Sequence, residues 1–344
     1  MRDSSISIAK GWAIMLMVLA HANFYKMGHD FIYMFHMPLF FVCSGYCFKD
    51  KYLLSPFKFV RQRIKGLYFP FVKWSLLFLL FHNIFFHLNI YNSEYTLEEF
   101  IRHGTNVILW MVDSEELLGG YWFLHTLFWA YIIFYITLKI VHERIIIGGG
   151  IVLLVSVLSL LVIPVPYFDI GYKEWLGSAF IFSGYYLKKM RLQFNWDLII
   201  FFFFIVGITS FLMPASIPNV TLMTILPYFF VAVMGSAMVI GLSRKITGGW
   251  LQKIIEYIGD HTIDILTWHF LLFKIVSLLI IMIESRPLAH LAQFPVIYFP
   301  NGYNYYWPAY FVVGMGGALM ISFFREKILS MKSSSKKLFS VNGK

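Results

Sequence analysis

The residues in this chain that could do chemistry are few, and they sit in apolar surroundings. Lys10 and His21 are eleven positions apart. In a helix that is about three turns, so both side chains face nearly the same way, about 16 Å apart along the axis. His36 follows a short loop and His125 opens a later apolar run, which places three imidazoles at similar depth. A neutral imidazole is a candidate general base, since its unperturbed pKa is about 6.5. Several His at one depth also offer ligands to zinc. No HxxxH or HExxH pair is present, and no metal is expected. Hydrogen bonding between helices accounts for a buried His too, and for His36 the packing and chemical readings stand side by side. Asp264 and His269 are five residues apart, off the favoured three-or-four spacing. A shared polar cavity and a structural network both fit that pair. Arg61 and Arg63, with Lys58 and Lys65 beside them, could hold phosphate groups of a cytosolic cofactor, because guanidinium forks match phosphate oxygens. Retention of positive charge on one side of a membrane explains the same cluster without a ligand. Cys43 and Cys47 share a helix face and read as packing residues. Trp122, within Tyr121-Trp122-Phe123, and the stretch Tyr303–Trp307 read as parts of an aromatic belt.

The elements that must carry these groups follow from composition. Of the 344 residues, 59% are hydrophobic and only 13% charged, with a mean hydropathy of +0.70. A soluble protein is about a quarter charged. A soluble globular enzyme, a disordered chain and a nucleic-acid-binding domain are therefore excluded. The two cysteines cannot staple a secreted scaffold of this size. An all-α, polytopic membrane bundle remains. A bilayer core takes roughly 20 apolar residues per helix, and ten segments come near that length: 8–25, 31–48, 67–90, 121–141, 145–164, 172–188, 196–213, 221–242, 259–284 and 307–324. With both termini cytoplasmic, 22 of the 28 Lys and Arg fall inside, Arg2 and Arg191 among them, and 4 fall outside. That asymmetry supports ten spans and accounts for the net charge of +10 without a polyanionic partner. A cleaved signal peptide competes for the first span, with Ala20-His21-Ala22 as the small-x-small site. Its removal would spoil the charge alternation downstream. Segment 91–120 is acidic and could carry a short amphipathic helix. Residues 1–330 read as a single membrane-embedded domain and 331–344 as a basic cytoplasmic tail near lipid. Ser44-Gly45-Tyr46 is echoed by Ser183-Gly184-Tyr185, where small residues allow close helix contact.

These residues together resemble a known family. The run from Arg2-Asp3 through Ile6-Ser7-Ile8-Ala9-Lys10-Gly11-Trp12 to Leu19-Ala20-His21 resembles the opening signature of the acyltransferase-3 membrane family, a basic residue, ten intervening residues and a His. Phe35-His36-Met37-Pro38-Leu39-Phe40-Phe41 with Ser44-Gly45-Tyr46 resembles the second-helix motif of its fucose O-acetylase-like branch. Arg61–Pro70 is similar to the basic segment leading into helix 3. Gly120-Tyr121-Trp122-Phe123-Leu124 and Leu266-Thr267-Trp268-His269-Phe270 resemble the Trp-Phe-Leu segment and the late His-containing helix. The match runs in order over about residues 2–325. One departure is Ser7, where the family often has Asp; Asp3 is a candidate substitute.

The resemblance implies an integral-membrane O-acyltransferase, usually of bacterial inner membranes. It implies acetyl-CoA as donor and a sugar hydroxyl of a surface polysaccharide or lipid-linked glycan as acceptor. Arg61, Arg63 and Lys10 would hold the CoA phosphates or pantetheine arm. His21 would act as general base or transient acyl carrier, with Lys10 and His36 beside it. Trp122, His125, Asp264 and His269 would shape the substrate cavity. A transporter or flippase using a buried His/Lys/Asp relay is the alternative, and a structural subunit of an export complex a third reading.

Overall fold

The computed structural model describes residues 3–162, 165, 168–190, 192–299 and 302–341, with side chains as far as Met331. Arg2 and Arg191 lie outside the described residues, as do residues 342–344 of the expected tail. The first half of the chain forms α1 (Ser4–His21), α2 (Lys26–Tyr33), α3 (His36–Tyr46), α4 (Pro56–Arg63), α5 (Phe69–Leu80), α6 (His82–His87) and α7 (Leu97–Trp110). The second half forms α8 (Trp122–Ile140), α9 (Ile145–Ser159), α10 (Tyr172–Met190), α11 (Trp196–Leu212), α12 (Ile225–Lys245), α13 (Gly249–Asp260), α14 (Thr262–Ile283) and α15 (Trp307–Val341). No strand occurs among the described residues, apart from an isolated bridge between Val165 and Ile170.

A helix overlaps each of the ten predicted apolar segments. Five are long and apolar enough to cross a membrane: Ser4–His21, Trp122–Ile140, Ile225–Lys245, Thr262–Ile283 and Trp307–Met331. Two predicted spans are broken. Segment 31–48 is interrupted at Phe35, whose backbone leaves the helical region before α3 begins at His36. Segment 67–90 is interrupted at Phe81, between α5 and α6. The last helix continues beyond 324, through the stretch read as a tail, to Val341. The acidic segment 91–120 holds α7, whose N-terminus is fixed by a capping box of Thr96 and Glu99.

Helix α1 is the hub, packed against α2, α3, α12, α13, α14 and α15. Its first turn is capped by Asp3, whose carboxylate accepts from the Ser5 N–H at 3.0 Å and the Ser5 hydroxyl at 2.6 Å. Asp3 therefore serves the helix end, and Ser7 is buried a turn further on. Two crossings depend on glycine. A Cβ at Gly45 would lie 1.9 Å from the Ile181 carbonyl oxygen, and one at Gly184 would lie 1.9 Å from that of Val42. The two Ser-Gly echoes thus face each other where α3 crosses α10. Likewise Gly259 of α13 meets the Ser7 carbonyl, and Gly11 meets that of Ile255. This second crossing sets Lys10 beside the start of α14.

Candidate active site

His21 closes the last turn of α1, and its ring lies against α14. Its Nδ1 is 3.0 Å from Nε2 of His269. The other nitrogen of His269, Nδ1, faces the carbonyl oxygens of Ile265 at 2.9 Å and Leu266 at 3.1 Å. Carbonyls only accept, so His269 carries its proton on Nδ1 and accepts at Nε2. His21 must then donate from Nδ1, which leaves its Nε2 with a free lone pair. The tautomer of His21 is thus set by a helix backbone acting through a second imidazole. Phe270 stacks on the His21 ring at a centroid distance of 4.8 Å, and Phe273 meets His269 edge-on at 5.7 Å. His269 is fully buried.

His36 repeats this arrangement. As the first residue of α3 it directs Nδ1 to the Ile32 carbonyl at 2.9 Å, so its Nε2 also carries a lone pair. His21, His36, Met17, Tyr33, Met37, Gly120 and Trp122 line one chamber of about 120 Å³. The Gly120–Trp122 wall is held to α14 by the Tyr121 hydroxyl, 2.6 Å from the Thr267 hydroxyl. Thr267 in turn donates to Ile263 O at 2.7 Å.

Two further cavities run from this chamber toward Lys10. Met17 and Met37 also border an apolar cavity of about 130 Å³, walled by Phe40, Phe123, Leu127 and Leu266 and with Lys10 at its other end. Lys10, Thr262 and Ile263 are shared in turn with an open cavity of about 630 Å³. The open cavity is basic. Lys10, Lys65, Lys73 and Arg325 line it, with Asp260, His261 and Asp264. Among the described residues no ion pair involves Lys10, Lys65 or Lys73. Lys73 lies 4.1 Å over the Trp74 ring. Arg325 makes a bidentate pair with Asp264, through Nη2 to Oδ2 at 2.7 Å and a second bond from Nη1 to Oδ1. The sequence of surfaces is therefore a basic mouth, an apolar throat and a chamber with two imidazole lone pairs.

Lys10, His21, His36, Trp122, Asp264 and His269 all fall on this run, His269 through His21. Asp264 and His269 do not pair with each other: Asp264 goes to Arg325 and His269 to His21. His125 is set apart. Its Nε2 donates to the Phe168 carbonyl at 2.9 Å, and Nδ1 is 3.6 Å from the Glu174 carboxylate. Glu174 also accepts from the Thr126 hydroxyl at 2.7 Å and the Gly171 N–H at 2.8 Å, so the cluster is satisfied internally. Arg61 and Arg63 are not among the residues lining the mouth. Arg61 is exposed, and the Arg63 guanidinium lies 4.2 Å over the Tyr131 ring. Both lie on α4, whereas Lys65 lies in a π turn, Ile64–Tyr68. One extra residue in a turn rotates the remainder of the helix by about 100°, which separates the facing of Lys73 from that of α4. Sequence reasoning missed Lys65, Lys73 and Arg325 as a group. A Lys within an apolar run, as at 73, is the signal that could have found them. The same signal at Lys274 marks a structural role, since its ammonium donates to the Leu291 and Gln293 carbonyls at 2.9 and 2.8 Å. Among the described residues no group of three His, Cys, Asp or Glu is placed to hold a metal ion.

Comparison with known proteins adds the family. A family model described as "Acyltransferase domain" matches residues 3–324. Nodulation protein NolL of Sinorhizobium fredii is 27% identical over 191 residues, 50% of this chain and 48% of that protein. Nodulation protein NolL of Mesorhizobium japonicum is 30% identical over 152 residues, 40% of this chain and 36% of that protein. The chain thus spans about half the length of the first of these relatives and about a third of the second. No solved structure matches it. A matching span that holds α1 to α14 whole, and with them the throat, the chamber and the mouth apart from Arg325, leaves one assignment: the chain belongs to the acyltransferase-3 family of acyltransferase domains.

Proposed function

We propose that this protein is a multi-pass O-acyltransferase of the bacterial inner membrane, moving an acetyl group from cytosolic acetyl-CoA to a sugar hydroxyl of a surface polysaccharide or lipid-linked glycan. The observation that carries the reading is the run of cavities from the basic mouth at Lys10, Lys65, Lys73 and Arg325 to the lone pairs of His21 and His36. An acyl-CoA has that polarity along its length. Its phosphates suit the mouth, where ammonium and guanidinium groups bind phosphate oxygens. Its slender pantetheine arm suits the throat. Its thioester then reaches the imidazoles about 16 Å from Lys10, the length of three helical turns.

In the direct route, the sugar hydroxyl gives its proton to His21 Nε2 as its oxygen attacks the thioester carbonyl carbon. The tetrahedral adduct collapses with cleavage of the C–S bond, and the CoA thiolate takes the proton from His21. In the covalent route, His21 Nε2 attacks the thioester and CoA leaves as thiolate. The sugar hydroxyl then attacks the acyl-imidazole and gives its proton to His36 Nε2, which passes it to the thiolate. Both routes yield one ester and one thiol. His269 is a positioning residue in both, because it keeps the His21 proton on Nδ1. Arg61 and Arg63, the basic candidates of the sequence, do not line the mouth, and in this reading Lys65 and Lys73 bind the phosphates.

The test is mass spectrometry of the native surface glycan from cells carrying wild type or His21→Ala at matched membrane levels. Loss of one acetyl group per repeat in the variant is expected, and the mass lost names the acyl group. Unchanged acylation on removal of the whole protein would refute a glycan acceptor and favour the transport reading, in which the same cavities carry solute without consuming acetyl-CoA.

A further inference from the structure

The chamber has a second approach, on the side away from Lys10. Tyr33 and Ser216 leave the chamber and line a cavity of about 120 Å³ with His29, Asp30 and Pro214. Asp30 and Pro214 then border a wider groove of about 630 Å³, bounded by Tyr25, Lys26, Phe211 and Tyr303. That volume lies within the range of small-molecule sites, roughly 300–1,000 Å³. Its lining is unlike that of the mouth. Lys26 and Asp30 are ion-paired one helical turn apart, so the groove presents a donor and an acceptor with little net charge. Tyr25 is 55% exposed and Tyr303 53% exposed, with ring centroids 6.1 Å apart. Tyr305 adds a third exposed ring, 6.5 Å from Tyr303. From this groove a ladder of rings leads inward, His29 stacked on Tyr33 at 4.0 Å and Tyr33 edge-on to His36 at 4.9 Å.

We propose that this groove is a carbohydrate subsite, in which Tyr25 and Tyr303 stack on pyranose rings flanking the acylated sugar and the Lys26–Asp30 pair bonds their hydroxyls. The inference rests on the acyl-transfer reading and supplies its acceptor path. Four observations favour a sugar. The electron-rich face of an aromatic ring attracts the polarised C–H groups of a pyranose face. A neutral pair offering both a donor and an acceptor suits hydroxyls, whereas an anionic ligand would call for the unpaired cations found at the other end. The groove is linked to the imidazole chamber by the intermediate cavity, which shares lining residues with each. Finally, donor and acceptor would enter from opposite ends and meet at His21, so neither blocks the other. An aromatic belt facing lipid would account for exposed Tyr rings, but not for an ion pair beside them or for the passage to His36.

The test uses the full-length protein in nanodiscs and oligosaccharide fragments of the host cell's own surface polysaccharide, stripped of esters by mild alkali. Fragment binding is read by saturation-transfer NMR, and acceptor KM by acetyl transfer. Tyr25→Ala and Tyr303→Ala are each expected to weaken fragment binding and raise acceptor KM by about five- to tenfold, the size of one aromatic stacking contact. Tyr25→Trp and Tyr303→Trp should retain binding. Affinity for acetyl-CoA, measured separately, should hold in all four and reports that the fold is intact. His21→Ala should still bind fragments while failing to transfer. If the Ala variants bind fragments and transfer as wild type does, the subsite is refuted while acyl transfer stands. If wild type binds no fragment yet acetylates another acceptor, the carbohydrate assignment falls. If the Ala variants change thermal stability with lipid composition but not fragment binding, the rings are belt residues and the subsite is refuted.

Discussion

The hydrogen bond between His21 and His269 is the point at which the reasoning is most exposed. Its length of 3.0 Å and the two carbonyls behind His269 assign the proton positions, and catalysis is attributed to the one nitrogen left without a proton. Replacing His269 by Leu keeps an apolar side chain against Phe270 and Phe273 but removes the acceptor. The His21 Nδ1–H then has no partner in a buried site, which costs about 1–3 kcal/mol. His21 can avoid that cost by moving its proton to Nε2, where it blocks the base, or by turning away. Either response lowers kcat by about fivefold to 150-fold, the same energy read as a rate. His269→Gln is the informative partner, because its Oε1 can stand where Nε2 stood and accept from His21. Steady-state acetyl transfer with purified enzyme should show kcat reduced in His269→Leu, largely restored in His269→Gln, and KM for acetyl-CoA little changed in both. Equal impairment of the two variants would show that ring packing matters and not the acceptor. A His269→Leu enzyme with wild-type kcat would remove the relay altogether.

The remaining expectations concern the other parts of the run. Lys65→Ala and Lys73→Ala should each raise the acetyl-CoA KM by about three- to tenfold at low salt, with the effect shrinking as salt screens the charges; Arg61→Ala, which does not line the mouth, should not. Gly45→Ala forces α3 and α10 apart and should destabilise the protein by about 1–3 kcal/mol, read as a lower Tm in detergent. Gly150→Ala meets no atom within 4 Å and is the control, expected to hold or raise Tm. His125→Ala breaks the Glu174 cluster and should lower Tm while leaving kcat at permissive temperature within about twofold; a selective loss of kcat would return His125 to the reaction.

Much of this site was legible in the chain. The eleven-residue interval between Lys10 and His21 needs only helical geometry to set both side chains on one face about 16 Å apart, and the short loop after His21 brings His36 alongside. The Ser-Gly echoes were legible as a crossing because glycine is costly in a helix unless something approaches it. What could not be read were partners far apart in sequence. Nothing local to His269 says that it meets His21, 248 positions away, in preference to Asp264, five away. The identity of the basic residues at the mouth was equally hidden, because it turns on a π turn at Ile64–Tyr68 that shifts the helix phase between Arg63 and Lys73. Composition recognises a cluster of charges, whereas the facing of each one depends on backbone winding. The breaks at Phe35 and Phe81 fall where His36 and His82-Asn83 interrupt apolar runs, but averaged hydropathy passes over so few polar residues and reports burial, not backbone direction.

The central claim is that an acyl group enters at the Lys10 end and is transferred at the His21 end of one continuous path. The most direct test is labelled acetyl-CoA supplied on one face of proteoliposomes holding protein of a single orientation, with ester-stripped glycan fragments enclosed on the other. Labelled ester is expected on the enclosed glycan, with none for His21→Ala and none when acetyl-CoA is moved to the glycan's side. Transfer only when both substrates share a face, or transfer that survives His21→Ala, would contradict it.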